Sequence, residues 1–310
     1  MASLTLIPTA PAFSCGLLGL DWVRHDGPVY REVIPNEPYE AASDPHVFVG
    51  EDGIRRMVYS GDDAGNIAIK MVYANDWTSW QQPRVLIGAS QGHVSPISKE
   101  TAFYHRASTG QHQLYFIGYN DEDEYDASVY MATAPAVDGP YTLNPQPVIP
   151  RGTLAGRDVH MMTSPSVVEH QGVLYMTFLA WDGFLDVTQV WVMGAISTDQ
   201  GRSWGNVQEV TVPVGMEGQL TRLPNGQFVA VRTGDVDEVE GIMIACADHP
   251  FGPYEEQETP ILIQAGSPWE VDEIIAPQIT IDPATGQPVL YYAGADHARG
   301  WWIMKAVPQP

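Results

Sequence analysis

Five times along the chain a turn opens onto a short β-prone run, and this repeat constrains the fold most, because a unit repeated so often must stack on its own copies to bury apolar surface. The runs are Asp44-Pro45-His46-Val47-Phe48, Glu100-Thr101-Ala102-Phe103-Tyr104, Ser164-Pro165-Ser166-Val167-Val168, Glu217-Gly218-Gln219-Leu220-Thr221 and Ala276-Pro277-Gln278-Ile279-Thr280, their starts 56, 64, 53 and 59 residues apart. A turn-like stretch such as Glu51-Asp52-Gly53 or Pro224-Asn225-Gly226 then leads to a second β-rich run at Met57, Leu114, Leu174, Phe228 or Leu290. Third runs follow at Ile67 to Ala74, Ser128 to Ala134, Val190 to Ser197, Gly241 to Ala247 and Trp301 to Ala306. Short fourth runs occur in four copies: Arg84 to Ile87, Gln146 to Ile149, Val207 to Val210 and Pro260 to Ile263.

The fifth copy lacks a fourth run, and the other terminus offers one. Gly27-Pro28-Val29-Tyr30 through Pro35 resembles the stretches Gly139-Pro140-Tyr141 and Gly252-Pro253-Tyr254 that lead into fourth strands elsewhere. Circular matching of this kind predicts an all-β, five-bladed β-propeller, its ring closed by an N-terminal strand that completes the last blade and leaves only short edges. The expected organisation is one domain over 1–310, with blades at about 44–93, 94–150, 160–212, 213–264 and 270–307 plus strand 27–35. Helical periodicity is weak, and 29 Gly and 25 Pro punctuate the chain at strand spacing.

Hydrophobic content of 44% with 17% charged residues is globular composition, and no apolar run approaches a membrane span, so no membrane partner is expected. A net charge of −23 repels phosphate backbones and excludes nucleic acid as a partner, while a surface adaptation for solubility or salt explains it without any ligand. Met1 to Leu20 lacks a basic start and is interrupted by Pro8 and Pro11, so no intact signal peptide is read; the compartment stays open, leaning to the cytoplasm. Cys15 and Cys246 lie far apart and make no metal or redox spacing, so no disulfide framework is expected and both read as packing residues.

In a propeller the first strand of each blade lines the central channel. Asp44, Glu100 and Glu217 open three of the first runs, and Asp272 and Glu273 come just before the fifth. Such carboxylates can cap turns. Gathered in one pocket they could cleave a glycosidic bond, one protonated to deliver a proton to the leaving oxygen and one ionised on the other face of the sugar. Trp181, Trp269, Trp301 and Trp302 could supply stacking platforms or inter-blade core.

On these residues the chain resembles the clan of five-bladed propeller glycosidases that includes glycoside hydrolase families 43 and 32, from about Gly27 to Val307. The resemblance implies that Asp44, before a proline, is the first-blade general base of an inverting enzyme or the nucleophile of a retaining one, and that Glu217, before a glycine, is the general acid. Glu100 and Glu273 would then modulate the pair or hold sugar. Asp138-Gly139-Pro140-Tyr141 and Phe251-Gly252-Pro253-Tyr254 are similar to segments after the third strand in those families, and Ser197-Thr198-Asp199-Gln200-Gly201-Arg202-Ser203-Trp204 is similar to an outer-rim Asp-box turn. One departure stands out. The third blade opens with Ser164-Pro165 where the resemblance implies an aspartate, so Asp158, Glu100 or Glu273 supplies a third carboxylate or the chemistry is not ordinary hydrolysis.

His46, His105, His160 and His297 fall near the expected channel side of four blades, where they could hold substrate hydroxyls or a metal; none shows a familiar ligand spacing. No cofactor or metal is therefore expected, apart from an ion such as calcium in the channel, which the position of His297 leaves open through the resemblance. Arg222 and Arg232 could pair with Glu217 or with a substrate carboxylate, or form plain ion pairs. Pro150 to Thr163 and Asp121 to Asp126 are the loops expected to shape the mouth. The sequence reading is a glycoside hydrolase on a small-molecule or oligosaccharide substrate, with a non-hydrolytic cyclase, lyase or isomerase and a sugar-binding propeller as alternatives.

Overall fold

The computed structural model describes residues 15–34, 40–76, 79–81, 83–89, 91, 98–120, 123–183, 189–211, 216–236, 239–264 and 267–309, by backbone alone at 120, 123–126, 216 and 236. The stretch Asp121 to Asp126 is thus outside the residues whose side chains are described, as are residues 1–14 of the apolar N-terminal stretch and Pro35. The described residues form strands and turns, and no helix long and apolar enough to cross a membrane is among them.

Two short strands, β1 (Trp22–Arg24) and β2 (Tyr30–Arg31), precede a first antiparallel meander of β3 (Glu40–Val49), β4 (Arg55–Asp63), β5 (Asn66–Ala74) and β6 (Arg84–Ile87). A second contains β7 (Ser98–Arg106), β8 (His112–Asn120), β9 (Asp123–Ala134) and β10 (Thr142–Leu143). After the hairpin β11 (Gly152–Leu154) and β12 (Arg157–Val159) comes a third, β13 (Met161–His170), β14 (Val173–Trp181), β15 (Val190–Ser197) and β16 (Gly205–Glu209). The fourth is β17 (Met216–Arg222), β18 (Phe228–Val236) and β19 (Val239–Ala247), edged by β20 (Glu255–Glu256) and β21 (Leu262–Ile263). The last is β22 (Glu273–Ile281), β23 (Pro288–Asp296) and β24 (Gly300–Pro308).

The middle strands are buried on both faces, as their near-continuous apolar runs require: Met57, Val58 and Tyr59 in β4 and Leu290 to Ala293 in β23 are all fully enclosed. Tight turns join them, with Gly53 and Gly226 at φ +75° and +90°, a conformation that suits residues without a Cβ. The fourth runs depart most from expectation. Pro145 and Pro147 remove ladder donors, so β10 forms at Thr142–Leu143 and only an isolated Val129–Ile149 bridge marks the anticipated strand. Of the expected N-terminal strand 27–35, Tyr30 and Arg31 pair with β24, joined by β1 further upstream.

The first strands also touch in a cyclic order: β3 with β7, β7 with β13, β13 with β17, β17 with β22, and β22 with β3. Side-chain to backbone hydrogen bonds accompany these contacts. Ser166 Oγ accepts from the Leu220 amide and donates to its carbonyl, Thr221 donates to the Ile279 carbonyl, and the Gln278 amide bonds both the N–H and the C=O of Val47. The turn Ser197 to Trp204 joins β15 to β16. Asp199 there accepts from the Ser197 hydroxyl and from the amide and hydroxyl of Ser203, bonds that hold its carboxyl down to about 2.

Cys15 and Cys246 are both buried, but they are not merely packing residues: they form a disulfide, with Cα atoms 6.0 Å apart. Their separation of 231 residues hid the pairing, because it depends on where the N-terminal segment lies. Leu17 and Trp22 follow Cys15 into the core shared by the fourth and fifth meanders. A crosslink closing a loop this long is worth about 5 kcal/mol in the chain-entropy treatment. Cys15→Ser with Cys246→Ser, or treatment with a strong reductant, is expected to lower the melting temperature by on the order of 5–10 °C in calorimetry.

Candidate active site

Each first strand carries one β-bulge, and the same kind of residue conformation sits in all five. Asp44, Thr101, Ser164, Glu217 and Ala276 have left-handed φ values of 51°, 51°, 50°, 37° and 51°, each within the register break of β3, β7, β13, β17 and β22. A left-handed backbone costs a residue with a Cβ roughly 1–2 kcal/mol, and a bulge re-aims the side chain it carries. The register corrects one sequence reading. Thr101, not Glu100, is the structural equivalent of Asp44 and Glu217, and Glu100 is its predecessor.

Asp44, Glu100 and Glu217 nevertheless line one cavity of about 450 Å³. Asp44 is 5% exposed; burial raises its carboxyl above the ordinary 3.8, opposed by hydrogen bonds from the Ser60 and Ser43 hydroxyls and the Thr101 backbone. Glu217 is half-buried overall, but its Oε2 is shut off from solvent and has no hydrogen-bond partner. Its carboxyl is pushed well above 4.5, first by loss of water and then by the negative charges of Asp44, Glu100, Glu273 and Glu240. Glu217 is thus the group most strongly driven to hold a proton, with Asp44 cradled by donors that favour its charge.

Glu273 lies outside the cavity wall, with Oε1 2.8 Å from His297 Nε2, while the His297 amide donates to Asp272 at 2.6 Å. One strand step beyond Asp44, buried His46 meets Gln219 at 2.8 Å across from β3 to β17 and packs on Phe103 with ring centroids 4.0 Å apart. Burial pushes both His46 and His105 down to about 4, so both are neutral rings at neutral pH. Buried His46 therefore belongs to the packing between β3, β7 and β17, and neither imidazole is among the residues lining the cavity.

Other expected residues lie elsewhere. Ser164 is buried on β13, its amide donating to Thr101 Oγ1 at 3.3 Å, and it borders a separate small void of about 40 Å³ between β13 and β17. Asp158 and His160 face each other at 3.4 Å on the surface, and the hairpin of β11 and β12 packs along the third meander through Arg157, which pairs with Glu209. Trp181 is core beside Met161 and Phe251. Trp269 stacks edge-on with Trp302 and under Arg31 and Arg299, away from the carboxylates. Arg222 lies at the opposite end of β17, about 16 Å from Glu217 along an extended strand, and Arg232 pairs with Glu256. Neither arginine meets Glu217.

Several cavity residues carried no expectation in the sequence: Ile34, Ser60, Gly61, Asp62 and Asn66. They come from the N-terminal segment and the β4–β5 hairpin, and only the pocket itself identifies them. Trp301 is the aromatic residue of its lining. Among the described residues no cluster of three or more metal-type ligands is assembled.

Because Glu217 has a folded-state carboxyl raised above its unfolded value, its contribution to stability is fully present below about pH 4.5 and is lost as pH rises through the raised value. Glu217→Gln removes that loss. Its melting temperature is expected to match the unmodified protein near pH 4 and to exceed it by a widening margin toward pH 8; a margin independent of pH would contradict this assignment.

No family model and no curated protein sequence matches the chain. Solved structures do. An α-L-arabinofuranosidase from Podospora anserina in complex with cellotriose aligns at a TM-score of 0.69 and 12% identity, over 94% of this chain and 97% of that one. An endo-arabinase from Bacteroides thetaiotaomicron aligns at 0.68 and 13%, over 92% and 97%. A family 43 β-xylosidase/α-arabinofuranosidase from a compost metagenome, in complex with xylotriose, aligns at 0.67 and 16%, over 92% and 95%. The chain shares the β-propeller fold of glycoside hydrolases of this clan.

Proposed function

We propose that this protein is a glycoside hydrolase that cleaves pentosides by inversion, with Glu217 as general acid and Asp44 as general base. The observation that carries the reading is the convergence of Asp44, Glu100 and Glu217, from three separate meanders, on one cavity in which burial and like charge drive Glu217 to hold its proton. A protonated acid beside an ionised base is the pairing that glycoside cleavage requires, and water enters between them in an inverting enzyme. Glu100 adds negative charge where an oxocarbenium ion would develop, and Trp301 offers a face to the sugar ring. The names of the structural relatives point to arabinofuranosides and xylosides as the first substrates to try.

The same reading takes the five meanders as blades of a closed ring. Support comes from the cyclic contacts of the first strands and from β1 and β2 pairing with β24, which gives the last meander its outer strand from the N-terminal side. The cavity then lies at one mouth of the channel, with the His46–Gln219 bond spanning the interior beneath it.

Ser164 favours a second reading, non-hydrolytic chemistry on a small metabolite, because the third meander contributes a hydroxyl at the bulge position where the first and fourth carry Asp44 and Glu217. The wall sets carboxylates, Ser60 and Asn66 beside apolar Ile34, Ile67, Ile275 and Trp301, a mixture that suits the hydroxyls and the ring face of a sugar.

Purified protein is expected to release the aryl group from α-L-arabinofuranosides or β-D-xylosides. Asp44→Asn and Glu217→Gln should each lower kcat by about 10³-fold, the scale of a general acid or base. Proton NMR of the first-formed sugar should show the inverted anomer. The alkaline limb of the pH profile, set by Glu217, should lie well above pH 4.5 and vanish in Glu217→Gln. Normal turnover in both amide variants would remove these residues from the chemistry, and inertness toward every glycoside would leave the Ser164 reading.

A further inference from the structure

One wall of the cavity comes from outside the five meanders. Ile34 lines it, at the end of a segment that β2 joins to β24. This segment is fastened to the first meander by contacts buried behind the cavity. Glu32 accepts a hydrogen bond from Lys70 of β5, and the two residues are only 9% and 7% exposed. The Tyr30 hydroxyl meets the Tyr59 hydroxyl at 2.9 Å, and the Ala41 amide donates to the Glu32 carbonyl at 3.2 Å. Gly61 forms part of the cavity wall at this place, and a Cβ there would overlap Glu32 Oε2 and Lys70 Cδ. The glycine is therefore what lets the ion pair lie directly behind the wall.

A buried ion pair is poor value for stability alone, since apolar side chains of like volume serve as well or better, but it fixes one register, because either charge without its partner is strongly penalised. Apolar burial anchors only the start of the segment, where Tyr30 is 8% exposed beside Tyr59; Val33 is 67% exposed, so the stretch running to Ile34 depends on the Glu32–Lys70 pair.

We propose that the Glu32–Lys70 pair is a latch that seats residues 30–34 against the β4–β5 hairpin, making Ile34 a specificity-determining contact of the cavity. Glu32 acts through this segment and is a positioning residue. The inference builds on the hydrolase reading for its substrate, but the latch is defined by geometry alone.

Two measurements on the full chain test it. In hydrogen exchange, Glu32→Gln and the paired Glu32→Gln with Lys70→Met should speed exchange at the Val29 and Ala41 amides at least about 10-fold, with β18 and β19 unchanged, as local opening requires. Unchanged protection at Val29 and Ala41, or protection lost evenly through β18 and β19, overturns the latch. In kinetics with the aryl pentoside that is turned over, Ile34→Ala and Ile34→Trp should shift KM about 5-fold or more while kcat stays within about 2-fold, the pattern of altered uniform binding. An unmoved KM in both variants removes Ile34 from the substrate contact. If the unmodified protein turns over no glycoside, the hydrolase reading fails, and the exchange result still decides the latch.

Discussion

The bulge in each first strand is the constraint on which the site depends. A regular strand would send the side chains of Asp44 and Glu217 to alternate sheet faces, where they would be packed between neighbouring meanders. The left-handed residue breaks that alternation at one level in all five strands. Its local cost, repeated five times, is tolerable because the surrounding ladders and inter-strand bonds over-determine the backbone: the Thr101 amide donates to Ser60, and the Ser164 amide to Thr101. The hydroxyls in this belt thus hold the backbone that presents the carboxylates.

Gathering carboxylates in one cavity is electrostatically unfavourable, and the structure contains that cost in a particular place. Burial raises the carboxyls of both, but at Asp44 hydroxyl and backbone donors oppose the rise, whereas Glu217 keeps an unpartnered oxygen among four negative neighbours. The imbalance separates the affinities of the two groups for a proton, which is what acid–base work between them needs. The same imbalance sets Glu217 against stability as pH rises, the conflict between stability and activity expected of the proposed general acid.

Much of this was legible in the chain because strands announce themselves locally. Turn residues, alternation and apolar runs placed the first, second and third strands of every unit, and the acidic openings of the first runs singled out Asp44 and Glu217. Legibility failed where position depends on something distant. Glu100 looked equivalent to Asp44 because both open a β-prone run, yet the bulge falls one residue later, at Thr101, a matter of pairing with β8. Arg222 looked close to Glu217 in sequence, but an extended strand carries residues a few positions apart to opposite ends of the sheet. His46 was open to holding substrate hydroxyls or a metal, and packing against Phe103 with the bond to Gln219 made it part of the core.

The sequence by itself determined the strand repeat, the all-β class and the acidic character, since each of these follows from local composition and period, and it singled out the carboxylates proposed for acid–base chemistry. Only the tertiary structure decided which carboxylates share a cavity, that Cys15 meets Cys246, and that Ile34 joins the wall from a segment outside the repeats. Those are contacts between residues far apart in the chain, and no local period specifies them; they are set by how the sheets pack and by what the N-terminal segment lies upon.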